Sequence, residues 1–252
     1  MSAIRKRCLL WDWTNTANLP HAIESLNFNG LIASVSNWNA WSPPELKNRL
    51  PFRPTVRGLD QLTDANEWGM ISNNEHAIIL YFNEPERAGI TPEKAAELWT
   101  EKMVPLRREK WKKLIGPGCA SDDAGEKWLD DFMRRVGETG EKPDYLGLHY
   151  YGSDGDAAIE YIKKMHGKYP EYPVVISEIA CISRDKKDVH KFTAQVANWA
   201  DECPWVFEYA FFGCMAKVSD DFVSPEAQLM NEDGSFRELM KKLMNEQPMT
   251  GT

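Results

Sequence analysis

The chain has 252 residues, 38 acidic against 30 basic, for a formal net charge of -8. Its 42% hydrophobic and 27% charged residues are the balance of a folded globular protein, not of a disordered tail, and no stretch approaches the roughly 20 apolar residues of a membrane helix. The acidic excess argues against a nucleic-acid binder, whose affinity rests on neutralising phosphates.

Short apolar runs alternate with helical patterns along the whole sequence. Cys8–Trp11 reads as a first strand, and Pro20–Leu26 as a short helix with proline near its start, where a missing N–H costs nothing. Leu31–Val35 is a second strand, followed by a loop rich in Trp, Asn and Pro. Ser42 is placed to cap a helix over Pro43–Leu50, and a weaker third strand falls at Thr55–Leu59. Ala77–Phe82 is the clearest fourth strand. Thr91-Pro92-Glu93 then opens a helix with a cap, a first-turn proline and an acid at the positive dipole end, carrying Ala95, Leu98, Trp99 and Met103 on one face. The runs Arg107-Arg108-Glu109-Lys110 and Lys112-Lys113 read as a solvated helix face, and Lys113–Gly116 as strand five.

Trp128, Phe132 and Val136 recur at helical spacing before a sixth strand at Tyr145–Tyr150. Ala158, Tyr161, Ile162 and Met165 mark the next helix, with Gly167 as its C-cap. Pro173–Ile176 begins strand seven, and Val189, Phe192, Val196 and Trp199 mark a helix after it. Trp205–Phe211 is strand eight, and Phe236, Leu239, Met240 and Leu243 belong to a last helix. Continuous apolar runs are the mark of buried parallel strands. A doubly wound sheet would accept the same order, but its usual Gly-rich phosphate turn is absent. No linker or repeat divides residues 1–252. The expected fold is therefore α/β, a single-domain (β/α)8 TIM barrel.

Five cysteines, at 8, 119, 181, 203 and 214, show no CxxC and no metal spacing, and read as small buried hydrophobes. Ten Trp, ten Phe and eight Tyr fit either a large core or a cleft for flat sugar faces. Met1–Arg7 is short and basic, without the small-residue cleavage site of a signal peptide, so the compartment stays open.

In such a barrel chemistry sits where the strands finish. Strand four ends Phe82-Asn83-Glu84-Pro85-Glu86, with the backbone of Glu84 biased away from helix by the following proline. Strand six ends Leu148-His149-Tyr150-Tyr151-Gly152, strand seven Val175-Ile176-Ser177-Glu178, and strand eight Phe207-Glu208-Tyr209-Ala210-Phe211-Phe212-Gly213. A single acid after a strand is more often a cap or an ion-pair member than a catalyst. Two in register suit glycosidic cleavage, where one carboxyl must stay protonated and the other ionised.

At these segments the sequence resembles glycoside hydrolase family 128, β-1,3-glucanases of clan A. The likeness runs from Lys6 to about Gly213. Its most specific block is Phe82–Glu86 followed by Thr91–Trp99, where the family shows Asn-Glu-Pro-Asp and then a Thr-Pro-Glu-x-Ala helix ending in Leu-Trp. The resemblance implies Glu84 as general acid/base, Glu178 as nucleophile and Asn83 as donor to the sugar 2-hydroxyl. It implies that His149 and Tyr151 orient sugar or nucleophile, although a core role is equally open for His149. It makes Trp38 and Trp41 an aromatic platform, and adds Trp11, Tyr209 and Phe211 as cleft aromatics; Trp13 is less defined. Departures are Glu86 for the usual Asp, Phe211 where Trp is common, and Leu10-Trp11-Asp12-Trp13 where Tyr-Asn-Asp is typical.

The expectation is thus a retaining hydrolase of β-1,3-glucan with carboxyls roughly 5–5.5 Å apart, needing no metal or organic cofactor and fastest at mildly acidic pH. Its partner would be β-1,3-glucan polymer or oligosaccharide, with no nucleic acid and no membrane, and monomer is the default state. A secreted or wall-associated location follows from the resemblance alone. The rivals are a glucan- or oligosaccharide-binding protein of the same fold with little turnover, and a clan A hydrolase of another β-linked glycan.

Overall fold

The strands of this chain bury side chains on both faces, apolar for the most part, with a few polar and charged groups among them. The computed structural model describes residues 5–75, 77–218 and 221–252, so Met1–Ile4 of the basic start lie outside the described residues. Strands β1 (Arg7–Leu10), β2 (Ile32–Ser36), β3 (Thr55–Val56) and β4 (Ile78–Tyr81) are followed by β5 (Lys113–Ile115), β6 (Leu146–Gly152), β7 (Val174–Cys181) and β8 (Val206–Phe211). They form a five-stranded sheet in the order β2-β1-β8-β7-β6 and a three-stranded sheet β3-β4-β5, and every ladder is parallel. Isolated parallel bridges lie beside the sheets: Val35 of β2 pairs with Phe52 before β3, Ile115 of β5 with Tyr145 before β6, and Leu148 of β6 with Cys119 after β5.

Alternation along each strand splits its side chains. Leu9, Ile79, Tyr81, Leu114, Ile176 and Tyr209 join the large core under the helices. Cys8, Leu10 and Ala210 form one small cluster on the opposite face, and Ile78, Leu80, Ile115 and Val175 another.

Helices α1 (Trp13–Asn18), α2 (Leu59–Thr63) and α3 (Ala65–Ser72) were not expected from the sequence. Two of the three are started by side-chain caps: Asp12 accepts from the Thr14 amide, and Asp64 from those of Asn66 and Glu67. Then follow α4 (Pro92–Leu98), a π-helical turn (Trp99–Met103) and α5 (Val104–Lys110). Pro105, in the first turn of α5, has no N–H for the ladder, and the adjoining π turn absorbs the break. The chain continues with α6 (Asp123–Glu138), α7 (Gly155–Lys168), α8 (Lys186–Glu202) and α9 (Glu238–Asn245).

Several sequence expectations are corrected. The stretch Pro43–Leu50 holds only a 3-10 turn, Pro44–Leu46, with no side-chain cap; consecutive prolines bias the preceding backbone to extended geometry. Pro20–Ser25 is likewise 3-10. Gly167 lies inside α7, which runs to Lys168 with Tyr169 as its C-cap. Strand three stops at Val56, and Leu59 already belongs to α2. Strand seven runs on to Cys181 because β6 pairs with it to that residue, so Glu178 stands within the strand. All five cysteines are buried and free. No described helix is long and apolar enough to cross a membrane.

Candidate active site

The turn after β4 positions Glu84. Phe82 and Glu84 both have left-handed backbone, φ 49° and 42°. Pro85 disfavours the right-handed helical region for Glu84, and the residue takes the left-handed one in place of the expected extended form. Hydrogen bonds hold that costly geometry: the Glu84 amide donates to the Gly118 carbonyl (2.8 Å), and the Arg87 amide donates to the Glu84 carbonyl (2.9 Å). Asn83, between them, bridges Gly118 and lines a cavity with Trp38, Ser177 and Glu178.

Glu178 is 7% exposed. Each of its oxygens receives one donor: Trp38 Nε1 reaches Oε1 at 2.6 Å and the Tyr151 hydroxyl reaches Oε2 at 2.7 Å. Charge-assisted bonds of this length fix the carboxylate in orientation. Trp38, which lines the same cavity, is itself left-handed (φ 59°).

His149 lies between the two acids. Fully buried, its Nδ1 is 3.1 Å from Glu84 Oε1 and its Nε2 is 3.8 Å from Glu178 Oε1. It stands opposite Glu178 in the β6–β7 ladder, just after a register shift at Leu148/His149. The two readings left open by the sequence merge here: the ring is a core residue and a site residue at once.

The electrostatics differ from the simple expectation of a raised Glu84. The hydrogen bond from His149 holds the Glu84 carboxyl below its usual range, against the effect of burial. Burial disfavours the imidazolium, but Glu178, the hydrogen-bonded Glu84 and Glu86 outweigh it and lift His149 above its ordinary value. The two shifts run in opposite directions, so the Glu84–His149 contact favours the carboxylate beside the imidazolium.

Other expected aromatics go elsewhere. Trp11 is 0% exposed, with its indole N–H on Glu45 (2.8 Å) and Thr16 (3.2 Å). Tyr209 is buried in a network with Arg7 and Asp201. Phe211 packs edge-on against Tyr209 on the same side. All three belong to the core under the helices: alternation puts Tyr209 and Phe211 on that face of β8, and Trp11 follows β1. Trp13 is exposed at the start of α1, and Trp41 is half-buried.

The aromatics that do reach the site are Phe212, edge-on to Trp38 (5.7 Å) and to Tyr151 (6.1 Å), and Phe222, 5.3 Å from Tyr151 and 58% exposed. Neither was selected from the sequence. Phe212 directly follows Phe211, so period-2 alternation carried the signal; Phe222 sits in an irregular loop with no pattern to reveal it. Glu208 is excluded from chemistry by a two-pronged ion pair with Arg53 (2.9 and 3.1 Å) and a bond from Ser34 (2.6 Å). Among the described residues no group of three His, Cys, Asp or Glu could hold a metal ion.

Residues 13–242 match the glycosyl hydrolase catalytic core family. Fold and site together thus define the chain as a glycosyl hydrolase catalytic core. It is similar to a subgroup VI exo-β-1,3-glucanase of glycoside hydrolase family 128 from Aureobasidium namibiae, at 51% identity and TM-score 0.97 over 99% of this chain and 100% of that one. The chain belongs to glycoside hydrolase family 128. Its fold is shared with a subgroup IV endo-β-1,3-glucanase from Lentinula edodes (24% identity, TM-score 0.80, 94% of this chain and 98% of that one). It is also shared with a subgroup VII oligosaccharide-binding protein from Cryptococcus neoformans (19% identity, TM-score 0.74, 94% and 91%). No curated protein matches the chain.

Proposed function

We propose that the protein hydrolyses β-1,3-glucan with retention of anomeric configuration, using Glu178 as nucleophile and Glu84 as general acid/base. The observation that carries the reading is the division of roles around His149. Glu178 is oriented by two donors from separate strand ends, while Glu84 shares a proton with the opposite nitrogen of the same ring. Glu178 attacks the anomeric carbon as Glu84 delivers that proton to the departing glycosidic oxygen. Glu84 then takes a proton from water, whose oxygen displaces Glu178 from the sugar.

Asn83 lies beside Glu178 in the same cavity, where a side-chain amide meets the sugar 2-hydroxyl and strengthens that contact as charge develops. Trp38 acts on the nucleophile through its indole N–H, and Tyr151, Phe212 and Phe222 offer ring faces to the neighbouring sugars. The expected carboxyl separation is roughly 5–5.5 Å. No metal or organic cofactor enters these steps. The eight strands are proposed to close into one (β/α)8 barrel within a single catalytic domain, an arrangement supported by the isolated bridges beside β2, β5 and β6.

The 51% identity to an exo-acting relative favours cleavage from chain ends. Laminari-oligosaccharide ladders and a panel of β-1,3, β-1,4 and β-1,6 glucans test bond and mode together. Glu178→Gln is expected to abolish reducing-sugar release while laminari-oligosaccharide binding by calorimetry persists. Turnover retained in that variant would refute the nucleophile, and binding without turnover in the native protein would establish the oligosaccharide-binding alternative.

A further inference from the structure

Position 118 carries no side chain, and the surrounding atoms leave no room for one. Gly118 follows β5 and is stitched to the acid/base turn from both directions. Its amide donates to the Phe82 carbonyl (3.0 Å) and its own carbonyl accepts from the Glu84 amide (2.8 Å). The neighbouring Cys119 carbonyl accepts from the His149 amide (3.3 Å). The backbones of Glu84, Gly118 and His149 are therefore tied together, and none can shift alone.

A methyl group at 118 would come within 2.4 Å of His149 Nε2, 2.8 Å of its Cδ2 and 2.8 Å of Ser177 Oγ. Real contacts stay well beyond such distances. The side of the ring it would strike is the one that faces Glu178. His149 is fully buried, and its Nε2 has no hydrogen-bond partner among the described residues. A push on that edge displaces the ring relative to Glu84 and Glu178 together.

We propose that Gly118 is a positioning residue of the reaction: the missing side chain is what lets the His149 imidazole stand between the general acid/base and the nucleophile. The inference rests on the roles proposed above for Glu84 and Glu178. It adds that a residue outside both catalytic strands, touching neither substrate nor reacting atom, sets the geometry of their proton exchange.

The test is Gly118→Ala, read in two independent ways. In laminarin hydrolysis kcat is expected to fall by roughly 100-fold, the scale of a 1 Å misplacement, with KM little changed. In the second arm the His149 imidazole is followed by NMR titration, its signals assigned by their loss in His149→Asn. The groups facing the ring are Glu84 and Glu86 from the turn after β4 and Glu178 from β7, with Arg87 and Asp122 acting on Glu84. Displacement of the ring is expected to bring its titration down toward that of an ordinary histidine. The titration needs no turnover, so it stands if the glucan reading fails.

Should Gly118→Ala fold poorly, the single variant His149→Ala and the double variant Gly118→Ala/His149→Ala decide the matter by thermal melting. Removing the ring takes away the two imidazole contacts and leaves only the Ser177 hydroxyl, which can rotate aside, so adding Gly118→Ala to the His149→Ala protein should cost much less than adding it to the native protein. An unchanged His149 titration, or an equal destabilisation by Gly118→Ala with and without the imidazole, would overturn the proposal.

Discussion

At the scale of single residues, the site is two acids on either side of one buried imidazole. Glu178 does most to raise His149 and the Glu84–His149 hydrogen bond shifts both its partners, so the two groups together predict one window of stability. His149 is raised: its contribution is complete below about pH 6.5, the unfolded value, and is lost as pH climbs through the folded value. Glu84 is lowered: its contribution is complete above about pH 4.3 and is lost as pH falls through its folded value. The melting temperature of native protein minus that of His149→Asn should therefore be greatest between about pH 4.3 and 6.5 and shrink on either side. Differential scanning calorimetry across pH 3–9 measures it, and a difference that keeps growing above neutral pH would contradict the assigned contact. Glu84 and Glu178 were legible in the sequence because strand-end acids with a following proline, or after an apolar run, are local patterns. The indole bond from Trp38 to Glu178 was not, since it joins residues 140 positions apart.

Secondary-structure elements are locked to one another by a few buried polar contacts as well as by apolar packing. Arg7 of β1 donates to Asp201 of α8 (2.7 Å), to the Tyr209 hydroxyl of β8 (2.8 Å) and to the Leu243 carbonyl of α9 (2.6 Å). Tyr209 completes the ring by donating to Asp201 (2.7 Å). A buried pair of this kind adds little over an apolar replacement, but removal of one partner strands the other charge. Asp201→Ala is expected to cost about 3–5 kcal/mol of unfolding free energy by urea denaturation; a loss under about 1 kcal/mol would mean that Arg7 finds other partners. The family resemblance offered Tyr209 as a cleft aromatic. Counting inward and outward positions from Glu208 places it on the helix side. The helix after Asp64 was also within reach, since an Asp with Glu three residues on is a start signal.

On the scale of the whole molecule, the two parallel sheets are flanked by two seams carried by few hydrogen bonds. Arg53 donates to the Val35 carbonyl (2.8 Å) and Val35 to that of Pro51 (2.9 Å) at one seam; Gly116 donates to the Tyr145 carbonyl (2.9 Å) at the other. If the proposed closed barrel is right, these amides unfold only with the rest of the strands. Their hydrogen exchange should then be as slow as that of β1 and β8, whereas exchange faster by several orders of magnitude would mark an open arrangement. The inner face between the sheets is narrow and partly charged, with Arg53 and Glu208 paired beneath the cavity that Glu178 enters. That leaves Glu178, one of the two candidate acids, beside a buried ion pair.

Periodicity and capping are short-range properties. The sequence by itself therefore determined the order of strands and the main helices, the parallel α/β class and the two candidate acids, and the motif blocks after β4 and in β6 and β7 pointed to the family. Tertiary structure alone decided which aromatics line the cleft. Burial depends on what lies across a strand, and a one-residue step moves a ring from cleft to core, as Phe211 and Phe212 demonstrate. It also decided the state of Glu84, because an imidazole 65 positions away in sequence reaches its carboxyl only once the strands have packed.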